Sequence, residues 1–474
     1  MSEKKKIMFI YPPSPVMNRE DRCQQPTKDL LVIPPLPPMD LMYMAAVAEE
    51  VNEPYYYIPK IVDYSLIKEA QEQLEKDLIE FNPDYLVANI ASTTLENDLS
   101  VFDVAKKLCP NIITIAKGAH FLTSNTDVLY KHKSLDLIIV GEVEETLKEI
   151  LQEKDYNKIK GLCYRDGFIA KYTGKRPFIT NLDKLPFPAR HLVNNDLFRR
   201  PDNNKVQTII KVSRGCPHHC FFCLATPVSG AKIRLRSPEN IIEEIKECVE
   251  TYKIKNFLFW SDIFNADREW TLDLCQKIID SGLKITWSAN SRADTVDEEM
   301  SELMYEAGCR LVSIGVESGS QYILNKIGKK ITINEIRNTV KIFKAAKIKI
   351  YNYFVIGLPW DNEETIEETI DFAIRLNSDY VSFYTATPLP GTRFYKFAKE
   401  NNILLNTDSF EEAYYSPVVN TMCLTKERVF ELHKQAIKRF YLRPGYILKT
   451  LIGIRSFAEL KNYLKAGFKV LLRK

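Results

Sequence analysis

No run of about 20 apolar residues occurs in the chain, so the sequence offers no membrane-spanning helix. The opening Met1-Ser2-Glu3-Lys4-Lys5-Lys6 leads into no signal-like apolar segment, and the ten cysteines suggest no disulfide framework. Both absences point to a reducing cytoplasm. An excess of one charge is lacking too: the formal balance is only +3, basic residues are sparsely interleaved with aromatics, and no RNA-binding module is visible, so nucleic acid is not expected. With 45% hydrophobic and 27% charged residues the chain is globular throughout, and its 474 residues exceed one ordinary core. Two or three domains are the expectation.

The chemistry-bearing residues concentrate in residues 211–223, Lys-Val-Ser-Arg-Gly-Cys-Pro-His-His-Cys-Phe-Phe-Cys. A β-prone run over 207–212 stops at Arg214-Gly215, and Cys216, Cys220 and Cys223 follow with three and then two residues between them. Three thiolates cannot complete the four-cysteine set of a closed zinc or iron–sulfur site, and no fourth cysteine is nearby. An iron left with an open position can hold a small ligand through amino and carboxylate groups. Two other readings use the same residues: a zinc site completed by His218, His219 or a distant group, and a ferredoxin-like electron carrier. The C-x3-C-x2-C spacing, with Phe222 before the last cysteine, resembles the signature of radical S-adenosylmethionine (SAM) enzymes. That resemblance implies a 4Fe-4S cluster on Cys216, Cys220 and Cys223 and reductive cleavage of SAM.

Residues 1–155 alternate strand-like and helix-like segments, with strands expected at 6–11, 56–63, 85–90, 112–116 and 135–140 and a long Pro-rich loop over 14–38. The pattern implies a doubly wound, Rossmann-like parallel sheet with its ligand beyond the carboxyl ends of the strands. At those ends stand Tyr11-Pro12-Pro13, Ala91-Ser92-Thr93-Thr94, Gly118-Ala119-His120 and Gly141-Glu142-Val143-Glu144. In this order, ahead of a cysteine loop, they resemble the cobalamin-binding domain of one large class of radical SAM enzymes. The match departs where the family often has Gly-Gly before the histidine and Gly-Glu-Gly-Glu later. There is also no Asp-x-His-x-x-Gly, the motif that gives cobalt a histidine in other cobalamin proteins. The resemblance makes His120 a candidate cobalamin contact; a Rossmann-like domain with another ligand, or none, remains the alternative.

Residues 156–201 carry Pro177, Pro186 and Pro188 and read as a rigid linker. Over 202–425 six strands alternate with helices, a partial (β/α)6 barrel of TIM type with chemistry at the carboxyl strand ends. SAM requires a cation for its carboxylate, acceptors for its amino group and ribose, and backbone near adenine. Arg292 suits the carboxylate, Asp262 the amino group, Glu317-Ser318 the ribose or amino group, and Gly357 close backbone approach to adenine. These positions match the family's strand-end motifs.

Residues 426–474 form a helical basic region. From Lys438 onward ten basic residues face one acidic residue, Glu459. Ser456-Phe457-Ala458-Glu459 reads as a capping box, and Leu460, Leu464, Phe468 and Leu471 then share one face beside Lys461, Lys465 and Lys469. Such a helix suits either an anionic membrane surface or the barrel wall, with a basic face left in solvent. The resemblance as a whole implies cobalamin-dependent C-methylation of a lipid, isoprenoid-like or secondary-metabolite substrate, with electrons from a reductant such as flavodoxin or ferredoxin. A cyclase or rearrangement enzyme without methyl transfer, and a non-catalytic cobalamin- or metal-binding sensor, are the alternatives.

Overall fold

The structure is a computed structural model that describes residues 4–21, 23–26, 35–200, 203–405, 416–454 and 457–471. The first sheet contains β1 (Lys4–Tyr11), β4 (Tyr56–Asp63), β5 (Tyr85–Asn89), β6 (Ile113–Lys117), β7 (Leu137–Ile139), β8 (Leu162–Asp166) and β9 (Ile169–Tyr172), in the order β4-β1-β5-β6-β7-β8-β9. The apolar run in β1 is buried on both faces. Ile7, Phe9 and Tyr11 enter one core with helices α1 (Met39–Glu50) and α5 (Glu144–Leu151). Met8 and Ile10 enter the other, with α2 (Ala70–Phe81), α3 (Leu95–Leu108) and α4 (Asn125–Lys131). Strand alternation therefore feeds two helical layers, as a doubly wound sheet requires.

Two features differ from expectation. The start of the segment read as a linker, where β-like pieces at 162–165 and a turn at Asp166-Gly167 are expected, gives β8 and β9 to the first sheet, both antiparallel, because the exposed edge of β7 needs hydrogen-bond partners. Within the Pro-rich loop lies a hairpin, β2 (Met17–Glu20) with β3 (Cys23–Pro26), which its polar residues did not announce.

The second sheet has six parallel strands in the order β10 (Gln207–Lys211), β13 (Asn256–Trp260), β14 (Thr286–Ser291), β15 (Cys309–Glu317), β16 (Lys349–Ile356) and β17 (Tyr380–Thr385). The expected partial barrel is present. Its crossover helices α7 (Pro238–Glu250), α8 (Arg268–Asp280), α9 (Glu298–Glu306), α11 (Ile333–Ala345) and α12 (Glu363–Leu376) begin at Ser237, Asp267, Asp297, Thr332 and Asn362. Each of those five side chains accepts a backbone N–H of the first turn, which fixes where the helix starts. Smaller elements α6 (Ala225–Ser229), α10 (Gln321–Lys326) and α13 (Arg393–Glu400) lie at the strand-end side, and β11 (Ser213–Arg214) pairs antiparallel with β12 (Arg234–Leu235). The linker is tied to the barrel by Arg190, whose guanidinium donates to Glu244 at 2.5 Å with both side chains fully buried.

After the barrel, α14 (Lys426–Tyr441) packs along β17, where His433 Nε2 lies 2.8 Å from the Phe383 carbonyl. Then come α15 (Pro444–Gly453) and α16 (Phe457–Leu471). The expected capping box begins at Ser456, which lies outside the described residues. Leu464, Phe468 and Leu471 are exposed.

Candidate active site

The cysteine loop is an excursion between β11 and β12, held from both sides. Gly215 has a positive φ, and a Cβ there would stand 2.1 Å from the Lys232 carbonyl oxygen, so only glycine passes this point. Its N–H donates to Asp262 Oδ2 at 2.8 Å, binding the loop to the carboxyl end of β13. Thr226 Oγ1 donates to the carbonyls of Cys216 (3.1 Å) and His218 (2.8 Å). Phe221 is the apolar anchor: its ring packs on Trp360 and Phe394, and its N–H donates to the Ile327 carbonyl. Phe222, which the resemblance places at the cofactor, is only partly buried beside the barrel core.

The three thiols share this loop. Cys216 and Cys223 belong to one small packed group with Ile263, the Ala225 N–H lies 3.3 Å from Cys223 Sγ, and Cys216 and Cys220 interact electrostatically. Burial pushes the Cys216 thiol up. Among the described residues no three side chains already stand as a closed metal cage.

A charged pair adjoins the thiols. Glu317, a non-glycine residue at φ 67° where the β15–β16 register shifts, accepts from Lys329 Nζ at 2.7 Å. A left-handed glutamate is a sparsely populated conformation, of the kind that clusters at functional sites. Lys329 is buried yet its ammonium is raised, because Glu317 and Cys220 offset the cost of desolvation. The sequence reading did not single it out; the only signal was the basic run Lys329-Lys330 after Gly328. Arg292, expected to meet a carboxylate, is engaged otherwise: it donates to the Lys329 carbonyl at 2.5 Å and pairs with Asp294 at 2.6 Å, so it positions the Lys329 turn. The Ser318 hydroxyl meets Thr369 Oγ1 at 3.0 Å and accepts the Ser320 N–H. The Gly357 N–H donates to Asp361, and a Cβ at Gly357 would stand 2.6 Å from Val429, so helix packing already requires this glycine. The Ser261 hydroxyl, beside Asp262, is buried with no partner among the described residues.

The first sheet turns its carboxyl edge toward this loop. Arg214, two residues before Cys216, donates to Glu144 and pairs with Glu142 at 3.2 Å, and Arg234 donates to Glu142 at 3.0 Å. Burial alone would raise the Glu144 carboxyl; Arg214 overrides it and holds the group at about 2. Lys117 does the same for Asp40, also held at about 2 against burial, across 2.7 Å. An apolar contact completes the seam, with Ala119 against Leu224 and Leu389. A cavity of about 90 Å³ remains between the domains, lined by Lys117, Gly141, Glu144, Arg214, Trp260 and Asp262 among others.

His120 lies under this edge. It is buried, with Nδ1 3.3 Å from the Ser92 hydroxyl and its imidazole pushed down to about 4 by burial. The crevice between β1 and β5, where the strand order reverses, is filled by the β2–β3 hairpin: Arg19 donates to the Asn89 carbonyl at 3.0 Å and to Asp98 at 2.7 Å, and Gln24 accepts the Ser92 N–H. A large flat ligand would meet small residues at these strand ends, and nothing stands within 4 Å of where a Gly141 Cβ would be. The present cavity is well below the roughly 300–1,000 Å³ of ordinary ligand pockets. A corrinoid fits the chemistry of these strand ends, with small side chains and open space around Gly141.

A sequence profile of the radical SAM superfamily matches residues 210–373. An uncharacterized methyltransferase of Pyrococcus horikoshii is 30% identical over 94% of this chain and 98% of its own length. The anaerobic magnesium-protoporphyrin IX monomethyl ester cyclase of Cereibacter sphaeroides is 24% identical over 91% of this chain and 72% of its length. Among solved structures, the cobalamin-dependent SAM radical enzyme OxsB with aqua-cobalamin and SAM bound superposes with TM-score 0.74 at 16% identity, covering 99% of this chain and 71% of that one.

Proposed function

The chain belongs to the radical SAM superfamily and is an enzyme of it; from that premise we propose that Cys216, Cys220 and Cys223 hold a 4Fe-4S cluster that cleaves SAM, and that the enzyme then methylates an unactivated carbon of a small molecule with cobalamin as second cofactor. When bound, the cluster supplies one electron to the SAM sulfonium and the cobalamin carries a methyl group. The observation that carries the reading is the Glu317–Lys329 pair beside Cys220. An anion and a cation side by side complement the α-amino and α-carboxylate groups of an amino acid, and Ser261 adds an uncommitted hydroxyl. Asp262 holds the loop backbone through Gly215, while the Phe221 cluster shields the inner side of the loop from water. The seam of Arg214 with Glu142 and Glu144 supports a cobalamin seat on the first sheet directly opposite the thiols.

Methylation is favoured by the full-length likeness to a methyltransferase. Cyclisation without methyl transfer is the second reading, favoured by the likeness to the cyclase over most of the chain. Electrons would come from a flavodoxin- or ferredoxin-type reductant. The expectation of a lipid or isoprenoid substrate rested on the C-terminal tail; α15 and α16 sit at the start of β17, the barrel end opposite the cysteine loop, and that support falls away. A charged cleft suits a polar substrate better.

The test is anaerobic reconstitution with iron and sulfide, then SAM and dithionite. The full chain should release 5′-deoxyadenosine or methylated product, and Cys216→Ala, Cys220→Ala and Cys223→Ala should each lose the visible cluster absorbance and all turnover. Retention of a full cluster in any of the three overturns the cluster assignment. Absence of bound hydroxocobalamin in an otherwise active holoprotein overturns the second cofactor alone.

A further inference from the structure

The two last helices leave a face that the proposed chemistry does not use. They meet over the start of β17, where the Tyr446 hydroxyl donates to the Asp379 carbonyl at 2.9 Å, Lys449 pairs with Asp379 at 3.0 Å, and the Tyr463 and Tyr380 hydroxyls lie 3.2 Å apart. Between them runs an apolar groove of about 270 Å³. Its surroundings are open to solvent: Ile452 is 77% exposed and Phe468 62%, and Leu448, Leu451, Leu464 and Leu471 are all exposed. An apolar surface that continuous is unusual unless something covers it.

Charge identifies the occupant. Residues 438–474 carry ten basic residues and one acidic residue, and Lys461 and Lys465 are exposed on α16. A second copy of this chain, seated face to face, would press two strongly basic ends together. A bilayer with anionic headgroups supplies apolar depth and negative charge at once. We propose that α15 and α16 dock the protein peripherally on an anionic phospholipid bilayer, with Ile452 and Phe468 sunk among the headgroups and Lys461 and Lys465 at the phosphates. No helix among the described residues is long and apolar enough to cross a membrane, so the contact is interfacial.

Docking also fixes orientation. Helix α14 runs from the Val429–Gly357 contact at the carboxyl end of β16 down to the Tyr441–Val381 contact near the start of β17. The docked face is thus at the amino end of the barrel, and the cysteine loop points away from the bilayer.

The proposal is independent of the radical chemistry, and its test reads binding. Reconstituted full-length protein is floated with vesicles of equal parts phosphatidylglycerol and phosphatidylcholine, and with phosphatidylcholine alone. It should float with the anionic vesicles, much less with the neutral ones, and should be released by salt. Lys461→Gln and Lys465→Gln should each weaken binding about fivefold. The double change Ile452→Ser with Phe468→Ser touches only exposed side chains, so it should abolish flotation while cluster absorbance and 5′-deoxyadenosine release stay unchanged. No flotation of the parent, equal flotation with both vesicles, or a dimer in solution that the double change disperses would each overturn the proposal.

Discussion

The chain presents two carboxyl strand edges to each other, and they are built in opposite ways. On the first sheet the buried charges are paired within the protein: Arg19 with Asp98, Asp40 with Lys117, Glu144 with Arg214, with the β2–β3 hairpin filling the crevice. The barrel edge carries a buried Ser261 hydroxyl without a partner among the described residues, three thiols on one loop, and a left-handed glutamate paired with a buried lysine. Identical strand–helix logic therefore yields a closed edge of paired charges and one that bears the thiol loop. The difference lies in what the loops carry: charges paired with one another on the first sheet, thiols on the barrel.

The largest expected effect is on the edge that bears the thiol loop. Gly215→Ala drives a Cβ into the Lys232 carbonyl, and the holoprotein should lose iron, sulfide and SAM cleavage together. A variant with full cluster content would mean that the loop is not as tightly threaded as the barrel strand ends suggest. Next comes the seam between the edges. Arg214→Ala strands Glu144 as a buried, unpaired anion, and chemical denaturation should show a loss of about 3–5 kcal/mol; a loss below about 1 kcal/mol would put the seam among ordinary surface pairs.

Smaller still is Glu317→Gln. It removes one charge-assisted bond, so SAM affinity should fall about 10–100-fold, the equivalent of about 1.5–3 kcal/mol, with cluster absorbance retained. Unchanged SAM affinity, measured by titration of the cluster spectrum, would erase the contrast between the edges.

The smallest effect is a pH contrast of opposite sign. His120 is pushed down to about 4 by burial, so as pH falls from 6.5 the unfolded chain binds the proton first and stability drops. Asp361, at the turn after β16, is pushed up from 3.8 to about 6 by burial, so its folded state keeps a proton the unfolded chain has released, and stability drops as pH rises through that window. Each contributes at most about 1.4 kcal/mol per pH unit, and between roughly pH 4 and 6 the two oppose each other. Denaturation midpoints of His120→Asn should therefore fall with rising pH relative to the parent, and those of Asp361→Asn should fall with falling pH. Slopes of the same sign in both variants would contradict the assignment.

The sequence made the parallel strands of both sheets legible because buried parallel strands read as continuous apolar runs, as in 6–11 and 207–212. It made the cysteine loop legible because three thiols so closely spaced need no tertiary information to be recognised. The β2–β3 hairpin escaped notice because its strands, Met-Asn-Arg-Glu and Cys-Gln-Gln-Pro, lack alternating hydrophobicity and are held by contacts to Ser92 and Asp98 far away in the chain. Lys329 escaped because one lysine in a basic run carries no mark of burial, and Phe221 because an aromatic beside a cysteine reads the same whether it faces ligand or core.

By itself, then, the sequence determined the order of two α/β units and the loop that bears the thiols, since both follow from local periodicity and spacing. Tertiary structure decided which charges were spent: it turned Arg292 into a brace for the Lys329 turn, gave Arg214 to Glu144, and left Lys329 with Glu317 beside Cys220. Partner choice among buried charges depends on distances of a few ångströms between residues far apart in the chain, and no local pattern encodes those.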